Sequence, residues 1–133
     1  MPFKPFVIFT LSLLLFACKK KKADTNDEVL NLSNTVRLGT WHISSSTESS
    51  QSTTSNYTGY NFTFDTAGVV KAIRDSALIT GGWGAGYEDD KTKMMLVLPT
   101  PFSGLSKDWF LKERTDTKVS LELNTDQVTF EKN

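Results

Sequence analysis

From Gly39 onward, apolar and polar residues alternate with a period of two, the spacing expected of β-strands that bury one face. Turn residues divide this region into eight short segments. The segments are Gly39–Thr47, Tyr57–Asp65, Val69–Arg74, Leu78–Tyr87, Met94–Leu98, Asp108–Arg114, Lys118–Leu123 and Gln127–Lys132. We find no stretch of helical length with apolar residues three and four positions apart. The pattern therefore predicts an all-β fold, a small antiparallel up-and-down meander of about eight strands.

Short connections between successive segments favour antiparallel neighbours. Such a meander avoids exposed edges by closing into a barrel, with the first segment paired to the last, or by curling into a half-open one. An eight-stranded barrel has room inside only for side chains or one small ligand. The side chains expected to point inward are Trp41, Ile43, Tyr60, Phe62, Phe64, Ile79, Trp83, Leu96, Leu98, Trp109, Leu111, Val119, Leu121, Val128 and Phe130.

The first residues of the chain follow a different pattern. Met1–Phe6 is a leader with one cation, and the uncharged run Val7–Ala17 follows it. A membrane-spanning helix needs about 20 apolar residues, so this run has the length of a signal-peptide core instead. The small Ala17 suits a signal peptidase, and the adjacent Lys19–Lys22 argue against a buried core helix. We interpret residues 1–17 as a signal peptide and expect the protein to be exported.

The four residues Leu15-Phe16-Ala17-Cys18 resemble the lipobox of bacterial lipoproteins, in which diacylglycerol alkylates the cysteine thiol. Cys18 is the only cysteine, so no disulfide competes for this thiol. Each buried acyl methylene contributes about 0.8 kcal/mol, and two or more acyl chains make anchoring stable. The resemblance implies a chain held by lipid on Cys18 to the cell envelope, at the outer membrane and facing the periplasm or the cell surface.

The mature chain has the length of one domain. We expect residues 18–37 to be a flexible, lipid-anchored linker containing at most one helical turn, and residues 38–133 to form the barrel. Residues 23–133 carry ten Lys and Arg against fifteen Asp and Glu, an excess of five acidic groups. An acidic domain without a basic patch argues against nucleic-acid binding. Lys19–Lys22 either attract anionic lipid or serve as a solvated tether.

Residues suited to catalysis or metal binding are few. His42, the only histidine, is expected to face solvent, and the only cysteine is the lipid site, so neither a metal site nor a catalytic triad is predicted. Glu88–Asp90 lack the ligand spacing of a calcium loop and are interpreted as a hairpin tip. Gly81–Gly86 are followed by a strand and not by the helix that a phosphate loop requires, so we expect a bend or bulge beside Trp83. We predict no enzyme activity, no catalytic residue and no cofactor.

Five short motifs occur in an order that resembles the small lipocalin-like domains of Gram-negative lipoproteins. They are Gly39-Thr40-Trp41, Tyr60-Asn61-Phe62-Thr63-Phe64, Thr80-Gly81-Gly82-Trp83, Asp108-Trp109 and Val128-Thr129-Phe130. The likeness runs from about Leu38 to Lys132 and implies a short β-barrel or calyx. In many lipocalins an arginine covers the first tryptophan, and here the nearest cation in the pattern is Lys132.

Two functions remain open. In the first, the protein binds a small apolar or sugar-like ligand at the barrel mouth, near Trp83, Tyr87 and Tyr60 and beside the loop Ser44–Asn56, which holds ten Ser or Thr. The pocket should be shallow, because each strand has only six or seven residues. At a rise of about 3.3 Å per residue, such strands make a barrel only roughly 20 Å long. In the second, the protein is a structural or interaction lipoprotein whose filled barrel contacts another envelope protein.

Two turns also resemble sites of O-glycosylation in Gram-negative envelope proteins. They are Asp65-Thr66-Ala67 and Asp75-Ser76-Ala77, in which Thr66 and Ser76 are the acceptors. Both lie at the ends of predicted strands, where a glycan would be exposed, although a simple turn also explains each of them.

Overall fold

The computed structural model describes residues 27–133. Within them the chain forms a helix, α1, over residues 27–36, and nine antiparallel strands. The strands are β1 (Trp41–Glu48), β2 (Gln51–Ser52), β3 (Asn61–Phe64), β4 (Val69–Arg74), β5 (Ala77–Glu88), β6 (Lys91–Val97), β7 (Asp108–Arg114), β8 (Lys118–Leu123) and β9 (Asp126–Lys132). Two 3₁₀ turns, Thr54–Tyr57 and Ser103–Leu105, precede β3 and β7.

The strands form one closed barrel. Their order in the sheet is β2-β1-β3-β4-β5-β6-β7-β8-β9, and β1 also pairs with β9. Because the two-residue β2 only extends the end of β1, eight strands make up the wall. The predicted all-β meander, and its closure by pairing the first segment with the last, are confirmed.

The seam between β1 and β3 is sparse. Trp41 and Phe62 are its one register pair among the described residues, whereas β1 and β9 share six. Asn133 bridges the seam: its backbone N–H donates to the Thr40 carbonyl (2.9 Å), and its Nδ2 donates to Thr40 Oγ1 (3.1 Å) and Asn61 Oδ1 (2.8 Å). Closure therefore depends mainly on the β1–β9 ladder.

Side chains from the whole wall fill the interior. Of the fifteen side chains expected to point inward, twelve are buried and the others pack against the same core. Those other three are Ile79, Trp83 and Leu111. The Phe130 ring packs edge-on against Phe62 at 5.4 Å and Phe64 at 5.7 Å between centroids, which joins β9 to β3 through the interior.

Helix α1 covers one end of the barrel, which we call the helix-capped end. Its residues Leu32 and Val36 point into the barrel and are buried, with 0% and 2% of their surface exposed. The Trp41 indole Nε1 donates to the Val36 carbonyl at 3.0 Å, and Arg114 Nη1 donates to Thr35 Oγ1 at 3.3 Å. The strand ends nearby are the starts of β1, β6 and β8 and the ends of β5, β7 and β9, as antiparallel order requires.

The two 3₁₀ turns close the opposite end, which we call the loop-covered end. Phe102 lies at its centre, with its ring 4.9 Å from Tyr57, 4.8 Å from Tyr60 and 6.0 Å from Phe62. The Trp109 indole N–H donates to the Leu105 carbonyl at 2.9 Å. Aromatic packing thus fills the barrel at the end away from the helix.

Helix α1 corrects the expectation of a flexible linker over residues 27–36. Val29, Leu32 and Val36 follow helical spacing, but three apolar residues in this window give too weak a pattern to predict a helix. The second segment also starts later than expected, since Tyr57 belongs to a 3₁₀ turn. Among residues 27–133, no helix has both the length and the apolar character needed to span a bilayer.

The expected bend or bulge at Gly81–Gly86 is also absent from the described strand pairing: β5 runs through these residues with no register shift. Gly81 is needed for close approach instead. A Cβ at this position would lie 2.1 Å from the Val97 carbonyl oxygen and 2.8 Å from a Leu98 methyl group. The neighbouring strand therefore packs directly against the Gly81 backbone.

Lys132 occupies the place over the first tryptophan that the sequence pattern suggested. Its ammonium group lies 5.8 Å from the centroid of the Trp41 ring, within range of a cation–π contact. Gly39 makes room for it, because a Cβ there would lie 2.8 Å from Lys132 Cε, and the backbone of Gly39 has a positive φ of 81°. Gly39, Trp41 and Lys132 thus form one packing unit.

We expect Phe130→Ala to lower the free energy of unfolding by about 3–5 kcal/mol, because it removes the ring that joins β9 to β3. Val97→Ala is the control, since Val97 is 67% exposed and its truncation should cost less than about 0.5 kcal/mol. Denaturant titration of the purified protein measures both values. Equal effects at the two positions would contradict a filled barrel.

Candidate functional site

Two of the three residues predicted to bind a ligand share one region of the barrel. Trp83 and Tyr87 are four positions apart on β5 and therefore face the same side, toward the helix-capped end. Trp83 is partly buried: its indole Nε1 donates to the Asp65 carbonyl at 3.0 Å, and its ring meets Phe64 edge-on at 5.7 Å. Tyr87 is 43% exposed.

The third predicted residue, Tyr60, lies elsewhere. It is buried at the loop-covered end, against Phe102 and under the Arg74 guanidinium, which lies 4.6 Å from the centre of its ring. Of the predicted loop Ser44–Asn56, the first five residues belong to β1 instead, and the remainder follows β1 at this same end. The structure therefore does not bring Tyr60 or the loop together with Trp83 and Tyr87.

Arg37 is a neighbour of Trp83 that the sequence pattern does not reveal. Its guanidinium carbon lies 5.9 Å from the centre of the Trp83 ring, at the point where the chain leaves α1. The partly exposed indole is thus bordered by a cation. Finding Arg37 required the position of α1, which was not predicted.

Three grooves follow the outside of the barrel along α1 and β7. The largest of the three has a volume of about 520 Å³, and the others about 240 and 410 Å³. Arg114 borders both the first and the second groove, and Lys91, Leu111 and Lys112 border both the second and the third. The three grooves therefore adjoin one another. The first is lined by Asn31, Asn34, Thr35, Leu38, Arg114, Asp116 and Lys132.

Two shifted pKa values have visible structural causes. A hydrogen bond to Glu88 at 2.8 Å, with the charges of Glu88 and Asp108, raises the pKa of Lys93, although desolvation opposes the shift. Burial, helped by the negative charge of Glu48, raises the pKa of Tyr57. Both groups are held in the form they already have at neutral pH.

A third shifted group ties two loops together. The Asp126 carboxylate accepts hydrogen bonds from Lys107 Nζ at 2.6 Å and from the Ser49 backbone N–H at 2.8 Å, and both lower its pKa. The group lies at the loop-covered end, at the first residue of β9. Like the other two, it is accounted for by contacts that stabilise the fold.

His42 is placed as expected, on the face opposite Trp41. Its Nδ1 lies 2.6 Å from Asn133 Oδ1, so it takes part in the contacts at the β1–β3 seam. Residues 27–133 contain no group of three or more His, Cys, Asp or Glu side chains placed to hold a metal ion. Thr66 and Ser76 are exposed in turns, and their modification stays a prediction. Cys18 lies outside the described residues.

No model of a known protein family matches the chain, and a search of curated proteins finds no match. The fold is similar to the crystal structure of a DUF4847 family protein from Bacteroides vulgatus ATCC 8482. The TM-score is 0.51 at 15% sequence identity, and the alignment covers 77% of this chain and 97% of that chain. At this identity the likeness supports the barrel fold alone.

Proposed function

We propose that the chain is an exported, lipid-anchored protein of the cell envelope without catalytic activity, whose barrel is a filled scaffold and whose outer surface binds another envelope protein. The filled interior carries this proposal. Leu32 and Val36 occupy one end, Phe102 and Leu105 occupy the other, and large side chains fill the space between them. A core packed in this way favours recognition at the surface over enclosure of a ligand.

The anchor is proposed from the sequence. The apolar run Val7–Ala17 ends at the only cysteine, Cys18, and a lipidated thiol makes use of both features. The described chain begins at Asp27, and α1 lies across the helix-capped end. Lipid on Cys18 would therefore keep that end near the membrane and direct the loop-covered half away from it.

Three exposed aliphatic side chains occupy the outer wall in the half nearer the loop-covered end. Ile73 and Leu78 are register partners across β4 and β5, with 41% and 59% of their surface exposed. Val97 on β6 is 67% exposed, and its register partner Gly82 has no side chain to cover it. Single exposed aliphatic residues are ordinary, but three on successive strands favour a protein contact.

A small apolar or sugar-like ligand beside Trp83 and Tyr87 is a second candidate function. Both rings face the helix-capped end, both retain exposed surface, and Arg37 borders the indole. Aromatic faces next to polar groups suit a sugar ring or a short apolar chain. Affinity should be modest, because α1 and the core leave only the outer part of these rings accessible.

We expect Cys18→Ser to abolish metabolic labelling by a palmitate analogue, because the serine hydroxyl cannot take the place of the thiol in lipid transfer. The variant should accumulate as unprocessed chain or appear in the soluble fraction. Gel fluorescence of labelled cells measures the effect. Undiminished labelling would contradict the anchor.

For the outer surface, we expect a photoreactive amino acid at Leu78 to give a discrete crosslinked product in the native host. The same group at Lys112, which is exposed on β7, is the matched control and should give none. Adding Ile73→Glu should remove the Leu78 product, because it places a charge in the apolar contact. Equal products at the two positions, or a product insensitive to Ile73→Glu, would overturn this surface.

For the second candidate, we expect short fatty acids or oligosaccharides to change the tryptophan emission with an affinity weaker than micromolar. Trp83→Phe should remove the change, whereas Tyr60→Phe, at the other end of the barrel, should leave it. Fluorescence titration measures both variants. Sub-micromolar saturation, or a response that survives Trp83→Phe, would contradict a shallow site at Trp83.

A further inference from the structure

Two cations, Arg114 and Lys132, line the 520 Å³ groove. Arg114 Nη1 donates to Thr35 Oγ1, and that hydroxyl donates to the Asn31 carbonyl at 2.8 Å. Lys132 is held over Trp41. Within residues 27–133, neither cation forms an ion pair. Both are therefore positioned by neutral groups, which leaves their charge available to an anion.

The rest of the groove adds hydrogen-bonding groups and one negative charge. Asn31 and Asn34 present carboxamides from the exposed side of α1. Asp116, in the turn between β7 and β8, supplies a carboxylate that forms no ion pair within the described part of the chain. Two cations beside one carboxylate suit a ligand that carries an anionic group next to a cationic one.

The helix-capped end also exposes large apolar side chains, one of which lines the groove. Leu38 lines the groove with 62% of its surface exposed, and Leu30, on α1, is 56% exposed. Tyr87, at the end of β5, is 43% exposed on the same end of the barrel. One exposed leucine on α1, a second just after the helix and a tyrosine at the same end of the barrel suit a protein face that rests in a membrane interface.

The length of the tether agrees with this placement. Nine peptide units separate Cys18 from Asp27, and at 3.3–3.6 Å per residue they span at most about 32 Å. If lipid is attached to Cys18, as the proposed function requires, the helix-capped end cannot move farther than this from the bilayer. The membrane is then the binding partner present at the highest local concentration.

The charges of the two adjoining grooves select among lipids. The 240 Å³ groove is lined by three acidic side chains (Glu28, Asp90 and Glu113) and three basic ones (Lys91, Lys112 and Arg114), so it adds no excess of positive charge that would favour an anionic headgroup. We infer that the helix-capped end docks on the membrane and that its 520 Å³ groove binds a phosphoethanolamine headgroup. The phosphate lies between Arg114 and Lys132, and the ammonium group lies beside Asp116.

A single-cysteine experiment tests this inference. Because the only native cysteine is the lipidated one, Leu38→Cys provides one free thiol for an environment-sensitive fluorophore. The purified lipoprotein is reconstituted into vesicles of phosphatidylcholine alone or mixed with equal phosphatidylethanolamine. We expect a blue shift of the label at position 38 with phosphatidylethanolamine, and none for a label at Ser103→Cys on the loop-covered end.

Arg114→Gln should remove the blue shift at position 38, while the matched Lys71→Gln, an exposed cation on β4, should leave it unchanged. A shift that survives Arg114→Gln, or one equally large with phosphatidylcholine alone, would overturn the headgroup site. A shift produced by inorganic phosphate or soluble phosphoethanolamine, without any response to vesicles, would assign the groove to a free phosphate ester and overturn membrane docking.

The state of Cys18 is measured separately in the same sample. One label per chain shows that Cys18 is blocked by lipid, whereas two labels show that it is free, which would overturn both the anchor and the docking that depends on it. One label without a shift at position 38 would overturn the docking alone. Thermal melts of each variant show whether the barrel is still folded.

Discussion

Trp41 is the side chain on which the rest of the structure depends, because it joins four elements at one point. It begins β1, and its register partners are Phe62 on β3 and Lys132 on β9. Its ring is fully buried, so its indole N–H needs an acceptor, and the Val36 carbonyl at the end of α1 supplies one. This hydrogen bond, together with those from Arg114 to Thr35 and from Thr92 to Glu28, fixes the helix over the barrel, and the helix in turn closes that end with its own apolar residues.

Alternation along the chain was sufficient to predict most of the wall, since a strand with one buried face must show it. The predicted bounds of Val69–Arg74, Asp108–Arg114 and Lys118–Leu123 are those of β4, β7 and β8. The parts that close the barrel ends could not be found in this way. Phe102 lies in an irregular loop, and α1 has few apolar residues, because only one side of it meets the core. Both Phe102 and α1 are stabilised by tertiary contacts, which leave no repeating pattern of apolar residues in the sequence.

The candidate site shows a second limit of prediction from the sequence. Trp83 and Tyr87 were correctly placed on one side of β5, because residues four apart in a strand share a face. Tyr60 was grouped with them on aromatic character alone. In an antiparallel meander, however, β3 and β5 run in the same direction, so the start of one and the end of the other lie at opposite ends of the barrel. The strand directions of the predicted meander are therefore sufficient to place Tyr60 at the end of the barrel opposite to Tyr87. The groove beside α1, in contrast, required the helix itself.

The filled core and the outer groove are physically connected through α1. The buried side of the helix places Leu32 and Val36 in the barrel, while its outer side presents Asn31 and Asn34 to the groove. Thr35 lies between these two sides and holds Arg114. A ligand that engages Arg114 and Lys132 therefore contacts only the folded arrangement of helix and wall, because the unfolded chain does not hold these cations together. By linkage, such a ligand stabilises the whole barrel in proportion to its occupancy. Recognition at this surface and stability of the core are thus two effects of the same helix.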